Sequence, residues 1–157
     1  MTIMLSKLFA PGNDSFLTGL ALMILRVWLG LTLLLNHGIA KLKAFDSMAP
    51  GFADPFKIGH SASFTLVVFA EVVAASLIAA GVVTRFAALV LTINMGVAFF
   101  YAHQGALSGG HSGELAFIYL AGFVTLLLAG PGRISVDKRL FGGGHAGSSK
   151  KTKSTDR

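Results

Sequence analysis

Arg26 and Glu71 each interrupt an otherwise apolar run of the sequence, Phe16 to Leu35 for the first and Phe64 to Val83 for the second. An ionisable side chain at the centre of a bilayer costs about 3 kcal/mol or more, so it faces a protein interior or a wet cavity and finds a partner there. Counting inward at about 1.5 Å per residue sets Arg26 about 15 Å from the inner end of its run and Glu71 about 10 Å from the outer end of its own. The two heights then differ by about one helical turn. A guanidinium fork matches a carboxylate bidentately, so the spacing predicts an Arg26–Glu71 pair. Such a pair has two uses. It can stabilise an anionic substrate or a reduced oxygen, or it can simply set helix register, because buried ion pairs specify packing without doing chemistry.

Arg26, Gly30, Leu33 or Leu34, His37 and Lys41 recur at three- and four-residue spacing, which is one helical stripe growing more polar toward the outer surface. That pattern predicts the wall of a cavity, although His37 and Lys41 taken singly would read as interface solvation. Asn94 falls at mid-depth in a third apolar run, with Ala98 and Tyr101 on its face, and is a candidate for bonding Arg26 or Glu71 or for joining helices. His103, His111 and Glu114 cluster with His37 toward the outer side. Their spacing is not that of a metal motif, so no metal is expected. With no cysteine, thiolate ligands and a thiol relay within the chain are excluded. Ala70, Ala74, Ala75, Ser76, Ala79, Ala80 and Gly81 flank Glu71 and permit close helix approach. Phe99, Phe100, Tyr101, Phe117, Tyr119 and Phe123 either line an apolar ring pocket or anchor the membrane interface.

The elements that must position these residues follow from composition. Of 157 residues 54% are hydrophobic and 13% charged, and the mean hydropathy is +0.71, which excludes an ordinary soluble domain. Four runs suit a hydrocarbon core about 30 Å thick: Phe16 to Leu35, Phe64 to Val83, Phe86 to Tyr101 and Glu114 to Gly130. The fold class predicted is an all-α membrane protein, a bundle of four transmembrane helices over residues 16–141. A short N-terminal segment (1–15) and a Gly-, Ser- and Lys-rich tail (142–157) flank it. Asp14-Ser15 is a candidate N-cap for the first helix, which can extend to Lys43 or Phe45. The first run starts after Pro11-Gly12-Asn13-Asp14 and exceeds a removable leader, so it is expected to remain in the membrane.

Pro50, Gly51, Pro55 and Gly59 make Asp46 to Ala62 a turn-rich outer connection, either folded over the bundle's mouth or freely excursing. Thr84-Arg85 alone joins the second and third helices, which must therefore be antiparallel neighbours. The formal charge of +6 falls mostly on one side: Lys7, Arg85, Arg133, Lys138, Arg139 and the lysines of the tail, against Lys41, Lys43 and Lys57. Positive residues stay inside, so both termini are expected in the cytoplasm of a multi-pass bacterial inner-membrane protein. The basic residues then need no nucleic-acid partner.

Several motifs together resemble the DoxX family of small four-helix membrane proteins over roughly residues 20–140. They are Leu25-Arg26-Val27 with Gly30, His37-Gly38-Ile39-Ala40-Lys41-Leu42, Glu71, Gly81-Val82-Val83-Thr84-Arg85, Glu114, and Gly130-Pro131-Gly132-Arg133-Ile134-Ser135-Val136-Asp137. The likeness extends in kind to the DoxD-like subunit of thiosulfate:quinone oxidoreductase, and implies association with membrane redox enzymes and quinones. Arg26, His37, Lys41, Glu71, Arg85 and Glu114 match the polar positions such a resemblance implies. Asp54-Pro55-Phe56-Lys57 and the histidine-bearing loop before Glu114 do not repeat a family motif.

The expectation is a redox-associated subunit, itself a candidate quinone-linked oxidoreductase component, that binds a quinone or a small anionic substrate. Arg26, Lys41, Asn94 and Glu114 are the candidate binding groups. His37 and Glu71 are candidate proton carriers, since histidine titrates near neutrality and burial raises a carboxylate's pKa. Gly30 and Arg85 serve packing. The alternatives are a carrier for small anions or metabolites and a scaffold recruiting soluble redox enzymes through the tail. The small bundle also suits homo-oligomerisation, which would enclose its polar face.

Overall fold

A computed structural model describes residues 15–141, all of them in helices, turns and connecting loops. The N-cap Asp14 and the tail 142–157 lie outside the described residues. Four apolar helices make the bundle: α1 (Phe16–Lys43), α2 (His60–Ala80), α3 (Thr84–Ala102) and α4 (Glu114–Ala129). A short α5 (Val136–Phe141) follows. The first three are long and apolar enough to cross a membrane. The fourth, at 16 residues, covers about 24 Å at 1.5 Å per residue and stops at glycines on both sides. The all-α membrane bundle is therefore observed, with α1 running on to Lys43 as its extension beyond the apolar run predicted and α2 starting four residues before Phe64.

Association of these helices rests on close packing, because lipid is as apolar as the side chains it would replace. The small residues provide it. A Cβ on Gly30 would stand 2.7 Å from the Ala75 carbonyl oxygen, and one on Gly38 would collide with the Glu71 carbonyl, so α1 lies backbone to backbone on α2. Ala70, Ala74, Ala75 and Ile78 of α2 join Leu33, Leu91, Met95, Phe123 and Leu126 in one buried core. α3 packs most extensively on α4, and α1 on α2. α2 and α3 meet at the tight turn around Gly81, as the short connection requires, and their packing fades toward the opposite end. We call the end with Ser15 and Phe141 the termini end and the other the loop end.

Three of the helices contain π-helical stretches, Leu34–Gly38, Phe69–Ala74 and Ala98–Ala102. Each wide turn inserts a residue into the ladder and turns the side chains beyond it, a device that recurs at functional sites. All three occupy the half of the bundle toward the loop end.

The connection between α1 and α2 is a folded roof. It contains a helical turn (Phe45–Met48) and a 3₁₀ turn (Ala49–Gly51). Phe45, Ala49 and Phe52 pack on Phe64, Val68 and Val72, with the Phe52 and Phe64 rings 4.8 Å apart. Asp54 ties down the rest by accepting from Ile58 N–H at 3.1 Å, Gly59 N–H at 2.8 Å and Ser63 Oγ at 2.6 Å. The Ser63 hydrogen bond, aided by those amides, holds the Asp54 carboxyl below the ordinary aspartate range. A carboxylate with a depressed folded pKa stabilises above its unfolded pKa and loses that contribution as pH falls through the folded value. The roof is therefore expected intact at neutral pH and loosened below the ordinary aspartate range. Protection factors of the amides in residues 54–63, taken relative to the intrinsic exchange rate at each pH, should fall on acidification, and Asp54→Ala should show the lowered protection already at pH 7. Protection that is equal in both proteins and unchanged with pH would contradict this.

Candidate functional site

The charged group that reaches Glu71 is Lys41. Its Nζ lies 2.5 Å from Oε1 and 2.6 Å from Oε2, so both carboxylate oxygens share one ammonium. Glu71 is 4% accessible and Lys41 24%. The pairing is built into the local sequence. Gly38 brings α1 against the Glu71 backbone, and Lys41, three residues further along α1, extends across the contact. Both Gly38 and Glu71 sit in π-helical stretches.

The predicted Arg26–Glu71 pair does not form. Arg26 is buried at the termini end, where it donates through Nη1 to the Pro131 carbonyl at 3.1 Å and through Nη2 to the Ile134 carbonyl at 2.5 Å. It lies against Gly81, whose φ of +72° and missing Cβ make the space that the guanidinium fills. Arg26 is thus level with the last turn of α2, about 15 Å of helix away from Glu71 at 1.5 Å per residue. The depth arithmetic failed because it equated the start of the first apolar run with the bilayer surface. α1, at 28 residues, outruns its neighbours at the termini end, so the middle of its apolar run is not the middle of the bundle.

Around Arg26 the Gly-Pro-Gly segment works as a clamp. Asp137 accepts from the Val83 and Thr84 N–H groups at 2.7 and 2.8 Å, capping α3, while its own N–H donates to the Gly81 carbonyl at 3.0 Å. Val83, held there at φ +39°, is a β-branched residue in a left-handed conformation that such capping must offset. Arg85 reaches the Leu128 carbonyl at 3.4 Å beside Gly130.

Lys41 and Glu71 line a cavity of about 450 Å³ between α2, α3 and the roof. Asn94, Ser63, Tyr101 and His103 supply its other polar groups; most of the remaining lining is apolar, with Phe52, Pro55 and Phe56 from the roof. That volume lies within the range of small-molecule sites, which are mostly apolar with a few convergent polar groups. Of the predicted binding and proton-carrying residues, the structure brings Lys41, Glu71 and Asn94 to this cavity. Arg26, His37 and Glu114 are not on its wall. His37 points to α4 and meets the edge of Tyr119, ring centroids 6.2 Å apart. Glu114 is exposed at the start of α4, its N–H bonded to Ser112 Oγ at 3.2 Å. His103 and His111 are joined through the His111 carbonyl, 3.0 Å from His103 Nδ1. Among the described residues no three acidic or histidine side chains gather as metal ligands. Sequence reasoning allowed the α1–α2 connection to fold over the bundle's mouth but named none of Phe52, Pro55, Phe56 and Ser63 as cavity-lining residues. Its aromatic pair beside Pro55 was the available signal.

These features define a polytopic helical membrane protein with a side-chain-lined cavity in one half of its bundle and a polar clamp at the other end. The sequence model of the DoxX family matches residues 21–104, and the chain belongs to that family. The matched region contains the whole cavity wall and stops short of α4 and the clamp residues Pro131 to Asp137. An uncharacterized membrane protein of Mycobacterium tuberculosis is 32% identical over 129 residues, 74% of this chain and 78% of the relative. An uncharacterized protein of Haemophilus influenzae is 30% identical over 76 residues, 45% of this chain and 57% of that protein. No solved structure matches the chain.

Proposed function

We propose that this chain is the membrane-embedded, ligand-binding subunit of a redox system, with the head of a quinone or a comparably small polar group seated against Lys41, Glu71 and Asn94. The observation that supports this reading best is an ion pair, made through both oxygens of a buried Glu71, on the wall of a cavity that is mostly apolar. An ammonium has three N–H groups. Two directed at the Glu71 oxygens leave a third to donate to a ligand oxygen, while the amide of Asn94 can donate or accept. A bound quinone would supply two-electron, two-proton chemistry, its electrons coming from a partner enzyme. The chain's residues would orient its oxygen, shield it from water beneath the roof, and offer the Glu71 oxygens as acceptors for a hydroxyl of the reduced head.

The test is equilibrium binding of a short-chain benzoquinone to the full-length protein in phosphatidylcholine nanodiscs. Asn94→Leu removes one hydrogen-bonding group from a half-buried position without disturbing the ion pair, and about 1.4 kcal/mol of lost hydrogen bonding corresponds to a tenfold weaker Kd. Binding that is absent in the unmodified protein, or that Asn94→Leu leaves unchanged, would rule the proposal out. The carrier reading draws on the partial accessibility of Lys41. It requires flux of a small anion into liposomes holding the purified chain.

A further inference from the structure

We infer that the occupant of this cavity is an uncharged amphiphile dissolved in the bilayer, which enters sideways between α2 and α3 at the loop end. The inference deepens the proposed binding function and rests on it. Three independent features support it.

The first is the shape of the gap. α2 and α3 pack together from their tight turn up to the π-helical stretch Phe69–Ala74, while the first part of α2, His60–Val68, has no comparable packing on α3. The helices therefore splay toward the loop end, where the roof residues Phe52, Ala53, Pro55 and Phe56 join the cavity lining.

The second is exposure. Leu66 and Ile93 line the cavity yet are 54% and 55% accessible, and Phe69 and Tyr101 are comparably open. Side chains that belong both to the cavity wall and to the lateral surface of a membrane bundle border a portal. In a bilayer that portal opens onto lipid tails. Its border is aliphatic and aromatic, so a hydrated ion gains nothing there.

The third is charge. The pair on the cavity wall is already neutral, with Glu71 closed on Lys41 through both oxygens. An anion added beside Glu71, only 4% accessible, would leave one net negative charge, and a cation one net positive charge; an uncompensated charge at so buried a group is strongly disfavoured. A neutral carbonyl or hydroxyl head can accept from the remaining Lys41 N–H or donate to Glu71 without altering the sum. The rest of the molecule would lie along the apolar wall and trail out between the helices.

A photoreactive azidobenzoquinone carrying a ten-carbon tail tests this in phosphatidylcholine nanodiscs, with labelled residues located by mass spectrometry. Labelling is expected within residues 66–71 and 93–101. Ile93→Trp fills the portal at an exposed position that leaves the core intact, and should lower site labelling at least tenfold. Leu128→Trp, on the 74% accessible face of α4, should not change it. Site labelling that Ile93→Trp leaves at full strength overturns lateral entry while the binding function stands. Displacement of the label by millimolar sulfate or acetate, but not by untailed neutral benzoquinone, overturns the charge class. An acyl chain that holds the cavity against excess probe also overturns the inference. Absence of site labelling with either tailed or untailed probe overturns the inference and the proposed function together.

Discussion

Lys41→Met is expected to destabilise the protein by about 3 kcal/mol or more, because it leaves the Glu71 carboxylate buried with no counter-charge. Removing one member of a buried pair strands the other, whereas replacing both with apolar groups of similar volume is often close to neutral. Lys41→Met/Glu71→Leu should accordingly recover most of the loss. The two single substitutions should also differ. Lys41 is 24% accessible against 4% for Glu71, so after Glu71→Gln the orphaned ammonium can turn toward water, while after Lys41→Met the orphaned carboxylate cannot. The order of stability is then the unmodified protein and the double variant highest, Glu71→Gln between, Lys41→Met lowest. Denaturation midpoints in detergent micelles report this order directly. Quinone binding should follow a different order, being lost in the double variant despite its recovered stability. A Lys41→Met protein as stable as the unmodified one would show that the pair is not buried in the folded chain.

Arg26→Leu should be almost as damaging to stability and nearly silent for the ligand. Arg26 satisfies the Pro131 and Ile134 carbonyls from a position only 4% accessible. An acceptor left without a donor costs about 1–3 kcal/mol when buried, and Pro131 and Ile134 are half-buried, so a combined loss of about 2–3 kcal/mol is expected. The loosened region is predictable: amides of residues 132–141, and the Val83 and Thr84 amides that Asp137 caps, should exchange faster. Arg26→Lys keeps the charge but lacks the planar fork that reaches two carbonyls, and should fall between. Gly81→Ala should reproduce the same exchange pattern from the other side, since a Cβ there collides with the guanidinium at a backbone φ of +72°. Quinone affinity, read at a temperature where each variant is folded, should stay within about twofold. A loss of affinity without loosening of residues 132–141 would return Arg26 to the ligand site and overturn this reading.

Helix number, antiparallel order and membrane class were legible in the residues because each depends on short-range pattern. Apolar runs of spanning length must form helices in lipid, where no water can satisfy the backbone. A connection this short between α2 and α3 allows one neighbour geometry, although it is made by Gly81–Val83, with Thr84 and Arg85 already in α3, and the small residues around Glu71 announce close packing whatever the partner. The stripe Arg26, Gly30, His37, Lys41 was likewise correct as a periodicity. Its division was not visible: Arg26 serves the clamp, Gly30 the contact with α2, His37 the face toward α4, and Lys41 the cavity. One stripe on a helix 28 residues long passes several different neighbours, and spacing alone does not say which neighbour stands at which height.

The amino-acid sequence by itself determined that this chain is a helical membrane bundle with buried charge of both signs in its interior. Only the tertiary structure decided which charges meet. Partner choice depends on the axial offset between helices, which is set by where Gly30 and Gly38 allow α1 to seat on α2 and by how far α1 extends beyond Gly81. An offset of about ten residues, some 15 Å of helix, exceeds the reach of any side chain. It therefore turns Arg26 from the expected partner of Glu71 into the holder of the opposite end, and leaves Lys41 to meet the carboxylate on the cavity wall.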